Sequence, residues 1–375
     1  MKDNLIYYKT TADFDNTGEV LIYKSLLELL RNHGQVVIDD STKTPRLFLE
    51  RIKIQDSERL SSISKLTFSS SLWRSALQYC FRKKRVFFVT GIGAHSVKGI
   101  KSAIKNIVAT VYCTGLRLFG VKLIRLGMSM QFAGKPAELS EVLLSKSFNH
   151  YYVRDSISLK NCQKAGVKKV KLAPDLSWAY NIGVKQTKIN HNKIILSFRE
   201  YAGTKDKQVE YKKRLSAAII SLCELINKLL PNSSFILTHQ VNADLKFMGE
   251  IKSHLSENGF QSELVEEFIT LDNASNYYTD ANLVISNRLH VLLLAYKFGG
   301  LPIAFTDLQN HLKIKGIFED SQLGQLLFDF NYKTPELTQL LQNVIENRER
   351  LLSSTKETAK SNKLELERIT KTIFS

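Results

Sequence analysis

Two hydrophobic periods alternate along the chain, and that alternation sets the first expectation about its architecture. Leu5-Ile-Tyr-Tyr8 is a short unbroken apolar run, the pattern of a strand buried on both faces. Asn16-Thr-Gly-Glu19 then places a capping residue three positions before an acid, and Tyr23, Leu26, Leu27 and Leu30 follow at helical spacing until His33-Gly34 closes the segment. Val36-Val-Ile38 resumes as a strand, as does the run from Arg85 to Thr90, which leads into Gly91-Ile-Gly93. Tyr151-Tyr-Val153 predicts another strand. Arg154-Asp155, a short helix to Gly166, a strand from Val167 to Leu172 and a turn at Pro174-Asp175 follow it.

Beyond Trp178 the text turns polar from Asn181 to Asn192, which predicts a domain boundary and divides the chain into residues 1–185 and 190–375. The second half restarts with Ile194-Ile-Leu-Ser-Phe198, ending at Arg199, and Phe235-Ile-Leu-Thr238, ending at His239. Leu283-Val-Ile285 leads through Ser286-Asn287 into Arg288-Leu-His290. A helix to Phe298, the stop Gly299-Gly300 and the strand Leu301-Pro-Ile-Ala-Phe305 come next. Thr334 as cap with Pro335 in the first turn opens a C-terminal helical segment. Strand and helix alternating in both halves predict the α/β class, with two doubly wound, Rossmann-like domains facing a central cleft. The carboxyl ends of their strands carry the ligand site.

Charge narrows the partners. Of 375 residues, 53 are Lys or Arg and 36 are Asp or Glu, a balance of +17 that predicts attraction to anions: phosphorylated substrates, nucleic acid or an anionic membrane. The basic residues read as dispersed, for example Arg82-Lys-Lys-Arg85 and Lys168-Lys-Val-Lys171, which suits a solvated surface first and lipid phosphate second. No apolar run approaches the ~18 residues of a membrane span. The best attempt, from Ile107 to Met130, is broken by Arg117, Lys122 and Arg125. The apolar run at the N-terminus is too short for a secretory signal, and the four cysteines form no Cys-x-x-Cys pair. The expectation is a cytoplasmic protein, in peripheral contact with the inner face of the membrane, and no nucleic-acid partner, because no recognised motif supports one.

Arg288-Leu-His290 is the sharpest chemical signal. An arginine fork and an imidazole just past a buried strand, at the start of a helix, suit a carboxylate or a phosphate. Arg154-Asp155 occupies a similar junction, where Arg154 either lines the cleft or forms an intradomain ion pair beside a capping Asp155. Arg199 and His239 repeat the pattern at two further strand ends, and Asp244 reads as a loop or cap residue. Gly91-Ile-Gly-Ala-His-Ser96 lacks the third glycine of a dinucleotide fingerprint and the Lys-Ser/Thr ending of a P-loop, so it reads as a tight turn. The histidines show no metal-ligand spacing, and no Gly-x-Ser-x-Gly elbow is present, so neither a metal site nor a hydrolase of that class is expected.

Taken in order, several of these stretches resemble the polysaccharide pyruvyl transferase family. Asn16-Thr-Gly-Glu19 is similar to its N-x-G-D/E element, Arg154-Asp-Ser-Ile-Ser158 with Pro174-Asp175 to its R-D-x-x-S and P-D elements, and Ser197-Phe-Arg199 to its strand ending in arginine. The stretch from His239 to Asp244 resembles its H…D loop, and Ile285-Ser-Asn-Arg-Leu-His290 with Gly300-Leu-Pro302 its R-L-H helix and following strand. The resemblance implies a GT-B type fold and a transferase that moves the pyruvyl group of phosphoenolpyruvate onto two hydroxyls of a sugar. The product is a cyclic ketal on a surface polysaccharide or its lipid-linked precursor. It implies His290 as acid/base, with Arg288, Leu289, Arg154, Arg199, His239 and Lys313 on the substrate. No cofactor is implied beyond phosphoenolpyruvate as donor. The acceptor is implied on the side of residues 1–185 and the donor on that of 190–375. Two departures stand out. Asn310 occupies the place of a common family lysine, with His311 and Lys313 nearby, and Gly127-Met-Ser-Met-Gln131 lacks the Gly-Pro ending of a family loop. A GT-B glycosyltransferase using a nucleotide sugar is the alternative, and a non-catalytic scaffold of a polysaccharide assembly complex is a third reading.

Overall fold

The computed structural model describes residues 4–10, 15–41, 45–80, 84–90, 93–182, 188–200 and 205–375, with side chains omitted at 94–96, 98 and 205–207. Gly91-Ile92, Arg82-Lys83, the side chains of His95 and Ser96, and residues 183–187 at the expected boundary lie outside that description.

The chain forms two parallel sheets. The first contains β1 (Asn4–Tyr8), β2 (Gln35–Ile38), β3 (Arg85–Thr90), β4 (Gly93–Lys98), β5 (Lys122–Ala133), β6 (His150–Val153) and β7 (Val170–Leu172), in the order β2-β1-β3-β5-β6-β7 with β4 paired to β5. The second contains β8 (Asn190–Ser197), β9 (Ser234–Leu237), β10 (Ser262–Leu264), β11 (Ala281–Ser286), β12 (Leu301–Thr306) and β13 (Leu327–Asp329), in the order β10-β9-β8-β11-β12-β13. Every residue of β1, β11 and β12 is buried, which explains why these strands read as unbroken apolar runs. In the second sheet the order runs outward from β8 in one direction and then, from β11, in the other. The switch point, where such sheets open a crevice for ligands, therefore falls between β8 and β11.

The span from Ile107 to Met130 is divided between the helix Gly99–Leu118 and β5. Among the described residues no helix is long and apolar enough to cross a membrane. At the C-terminal helix Thr334–Glu346 the N-cap is Lys333, one residue before the expected Thr334. Periodicity did not disclose the helix Arg348–Phe374, because its charged residues leave only a thin apolar stripe.

Contacts divide the chain into two units that are not contiguous in sequence: residues 1–14, 19–180 and 361–375 in one, and 15–18 and 181–360 in the other. The expected partition at 185–190 therefore needs two corrections. Asp15–Gly18 groups with the second unit because Thr17 N–H donates to the Gln240 carbonyl at 3.2 Å, its hydroxyl donates to the Ile269 carbonyl at 2.6 Å, and Asn16 bridges Val241. The last fifteen residues group with the first unit because Phe374 packs on Phe87 and stacks on His33, with ring centroids 4.8 and 5.0 Å apart. The Asn4 amide also donates to the Phe374 carbonyl at 3.2 Å. At the other end of the same helix, buried Arg348 donates to the Gly299 carbonyl at 2.8 Å and the Asn282 carbonyl at 3.2 Å in the second unit.

Phe374 therefore belongs to the core of the first unit rather than to a frayed end. Replacing it with alanine is expected to cost about 3–5 kcal/mol of unfolding free energy, the usual loss for emptying a buried aromatic site. Urea unfolding of Phe374→Ala measures this, and a loss below about 1 kcal/mol would remove the C-terminus from that core.

Candidate active site

The register of β8 against β11 pairs Ser197 with Ser286, so Arg199 and Arg288, each two residues further on, leave the sheet at the same level of the switch point. Three neighbours fix this junction. The Ser286 hydroxyl accepts from Arg288 N–H at 2.8 Å and donates to the Ser197 carbonyl. Buried Asn287 accepts from Arg199 N–H through Oδ1 and donates to the Arg199 carbonyl through Nδ2, both at 2.9 Å. Its side chain also reaches the Tyr211 hydroxyl at 3.5 Å. A buried amide with both ends satisfied leaves the two strand ends one arrangement.

Arg288 shows the two-pronged geometry expected of it, on a carboxylate of the protein itself. Its Nη2 donates to Asp244 Oδ1 at 2.6 Å while Nε lies beside Oδ2. Asp244 thus corrects the loop-or-cap reading: it sits at the N-cap of the helix Leu245–Glu257 but makes no side-chain cap bond, and it serves instead as the counter-charge of Arg288. The Arg199 guanidinium makes no hydrogen bond among the described residues. Its pKa is lowered by burial first and by the nearby Arg288 charge second, with Tyr211 and Asp244 opposing. One carboxylate therefore faces two guanidiniums.

Three histidines border this charge. His290 is buried in the first turn of the helix Leu289–Ala295, behind buried Leu289. Gly18 lies directly against its ring: a Cβ at position 18 would sit 2.3 Å from His290 Nδ1 and 2.8 Å from its Cβ. The glycine of the Asn16-Thr-Gly18 element is thus a space-making residue for the histidine. His239 follows β9. Its pKa is lowered by burial, with the Asp244 carboxylate and the Val265 backbone pulling the other way. The His311 ring nitrogen Nδ1 bonds the Thr306 hydroxyl at the end of β12, and its ring lies 5.8 Å from that of Tyr211. Burial first, then the charges of Arg199 and Lys313, push His311 down to about 4, with Asp307 opposing. Lys313, on the helix Leu312–Asp320, therefore contributes its charge to the same patch.

Arg154 belongs to the first unit. Its side chain is 1% exposed and pairs with fully buried Asp175 at 2.9 Å, while Nε donates to the Ser129 hydroxyl, also at 2.9 Å. Ser129 in turn donates to Asp155 at 2.6 Å, and Asp155 caps the following helix by accepting from Ser158 N–H at 2.7 Å. Of the two readings of Arg154-Asp155, the ion pair beside a cap describes what is seen. Nearby Gly127 has φ +85°, and a Cβ there would lie 2.4 Å from the Leu176 side chain, so glycine is required by both backbone and space. Also in the first unit, the ends of β1 and β2 border a hollow of about 480 Å³ lined by Asp39, Asp40, Ser61, Ser64, Thr67 and Phe68 among others. Among the described residues no group of three or more His, Cys, Asp or Glu is placed to hold a metal ion. Burial raises the thiols of Cys113 and Cys162 to about 11 and about 12, which leaves them poor nucleophiles.

Sequence reasoning read Asp244 as a loop or cap residue and did not single out Asn287, Tyr211 or the role of Gly18. Asn287 had a signal, since it lies between a strand and Arg288. The others are brought in across 44, 76 and 272 residues of sequence respectively, and although Asp244 and Gly18 lie in recognised motifs, no local pattern shows what they touch.

Two outcomes follow from this geometry. Gly18→Ala is expected to displace the His290 ring, shifting its imidazole resonances while circular dichroism keeps the parental secondary structure; unchanged resonances would mean that the close approach is not real. The second concerns pH. The fold favours neutral His311, so the unfolded chain binds that proton more readily, and the contribution is complete above the unfolded value near 6.5. It is lost as pH falls from there toward about 4. His311→Gln should therefore make stability fall less steeply with pH across that window, as read from unfolding midpoints at several pH values.

No curated protein sequence matches significantly. Among solved structures, a Listeria monocytogenes protein provisionally described as a UDP-N-acetylglucosamine 2-epimerase is similar at TM-score 0.58 and 14% identity, over 98% of this chain and 95% of that one. The UDP-GlcNAc 2-epimerase from Neisseria meningitidis is similar at TM-score 0.53 and 12% identity, over 98% and 100%. An O-GlcNAc transferase mutant from Thermobaculum terrenum is similar at TM-score 0.54 and 10% identity, over 100% and 68%. At such identities the likeness shows the fold alone, which is of the GT-B type with two Rossmann-like domains. Residues 16–306 match the family described as polysaccharide pyruvyl transferase, a span that contains Arg199, His239, Asp244, Arg288 and His290; the chain belongs to that family of enzymes.

Proposed function

We propose that the second unit binds phosphoenolpyruvate at the carboxyl ends of β8, β9, β11 and β12, and that the enzyme transfers its pyruvyl carbons to two hydroxyls of a sugar as a cyclic ketal. The observation that carries this reading is the pair Arg199 and Arg288, held at one level of the switch point, where only Arg288 is ion-paired among the described residues, to Asp244. Phosphoenolpyruvate brings a carboxylate and a phosphate, two anions for a patch that also includes Lys313. Arg199 offers an unused fork, and Arg288 already presents the planar geometry that a carboxylate accepts.

His239 and His311 are both held toward the neutral form, so they accept or donate hydrogen bonds rather than supply imidazolium protons near neutral pH. His290 is left as the acid/base. It gives a proton to the methylene carbon as the first sugar hydroxyl bonds to the neighbouring carbon. Phosphate then leaves with the electrons of its bond to that carbon, and the second hydroxyl takes its place. Of the two hydroxyl protons, one returns to His290 and the other leaves with phosphate. The first-unit hollow, with its carboxylates, hydroxyls and the ring of Phe68, has the chemistry of a sugar site and is our candidate for the acceptor. A UDP-sugar donor is the second reading, favoured only by the similarity in fold to UDP-GlcNAc enzymes.

Thermal stabilisation separates the two. Phosphoenolpyruvate should raise the unfolding midpoint in a concentration-dependent way, and UDP-GlcNAc should not; the reverse result would replace the donor. Arg288→Lys should abolish the phosphoenolpyruvate effect although charge is kept. His290→Gln should retain the stabilisation but lose roughly 10²-fold or more in turnover on a diol acceptor. Near-parental turnover in that variant would send the search for the proton donor to His239, His311 or Lys313.

A further inference from the structure

The excess positive charge is not dispersed as the sequence reading held. Between Glu58 and Glu138 there is no Asp or Glu at all, while fourteen Lys and Arg fall in the same span. Most of the +17 balance therefore belongs to one stretch of the first unit.

The helix Gly99–Leu118 lies inside that stretch, and its outer face is apolar. Ile100 is 69% exposed, Val108 64%, Val111 72% and Leu118 81%, with Ile104 and Ile107 also exposed. At 100° per residue these six fall within an arc of about 100° and run for about 27 Å along the helix. Lys101 and Lys105, both exposed, border the arc on one side. The helix Lys135–Ser145 packs beside it and adds exposed Leu139 and Leu143. At its far end Trp73 packs edge-on against Tyr112 and Phe119, a pair of contacts that fixes an amphipathic aromatic cluster next to the stripe. Isolated exposed aliphatic side chains are ordinary, but a continuous stripe of this length marks a surface that something covers.

We propose that this face is a membrane-docking surface, on which the helix Gly99–Leu118 lies flat with its aliphatic stripe among the acyl chains of an anionic bilayer and the surrounding lysines and arginines at the headgroups. The charge decides the occupant. A second copy related by a two-fold axis would bring two stripes bordered by Lys101 and Lys105 together, so like charges would face each other. A nucleic acid would satisfy the cations but leave the aliphatic side chains in water. An anionic lipid surface satisfies both at once, because it offers phosphates at the boundary and hydrocarbon beneath them.

The test is flotation of the full chain with vesicles of phosphatidylcholine alone and of phosphatidylcholine mixed with phosphatidylglycerol. The parent should bind the mixed vesicles, bind the neutral ones at least about tenfold more weakly, and be partly released by salt that screens the headgroups. The double substitution Ile104→Asp with Val108→Asp, both outward-facing, should cut binding to mixed vesicles by about tenfold or more while circular dichroism stays parental. Three results would overturn the proposal: no binding of the parent to mixed vesicles, equal binding by the double variant, or a dimer in sedimentation equilibrium that the same two substitutions dissolve.

Discussion

Two guanidinium groups held side by side in a partly buried place repel each other, and the second unit is arranged around keeping them there. The parallel register of β8 and β11 brings Arg199 and Arg288 to one level, and the Asn287 amide binds both ends of the Arg199 peptide so that the junction cannot relax apart. Asp244 pairs with Arg288 and Asp307 lies nearby, so two carboxylates stand against Arg199, Arg288 and Lys313. The site therefore carries a net positive charge set by its sheet, and burial sharpens it because water cannot screen it fully. The proposed donor, with its two anionic groups, would relieve that repulsion.

Around that core, most of the family's motif residues act on other protein groups. Asn16, Thr17 and Gly18 fasten a short segment to the backbone at Gln240, Val241 and Ile269 and leave space for His290. Asp244 serves Arg288. In the first unit, Arg154, Asp155, Ser129 and Asp175 form a connected set of hydrogen bonds that joins β5 and the end of β6 to the helix start and turn that follow. Removing one member of such a buried ion pair would strand the other charge, at a typical cost of about 3–5 kcal/mol, which is a physical reason for these residue types to occur together.

The parts of this arrangement that a sequence displays are those set by local spacing. β1, β3, β11 and β12 announced themselves as apolar runs, and Arg199, His239 and Arg288 could be placed at strand ends because a strand's end is visible where its apolar run stops. What stayed hidden depends on separation through space. Asp244 looks like any loop acid until the fold brings it to Arg288, and Gly18 looks like a helix start until His290 is found against it. Arg154 shows the opposite difficulty: its position permitted two roles, and only the burial of Asp175 beside it distinguishes them. The return of the C-terminus to the first unit was invisible for a further reason, since the helix Arg348–Phe374 spends most of its length in charged residues.

That return has a bearing on how the protein is made. The sheet of the first unit is complete in sequence by Leu172, yet the aromatic ring that covers Phe87 and His33 is the penultimate residue of the chain. During synthesis, domains ordinarily fold in order as they leave the ribosome. Here the first unit must wait, with part of its apolar surface uncovered, until the whole second unit has been translated and the last helix has emerged. The unit that begins folding first is the one that finishes last, and the interval between is set by the time taken to synthesise the 180 residues from Asn181 to Lys360 and the end of the last helix up to Phe374.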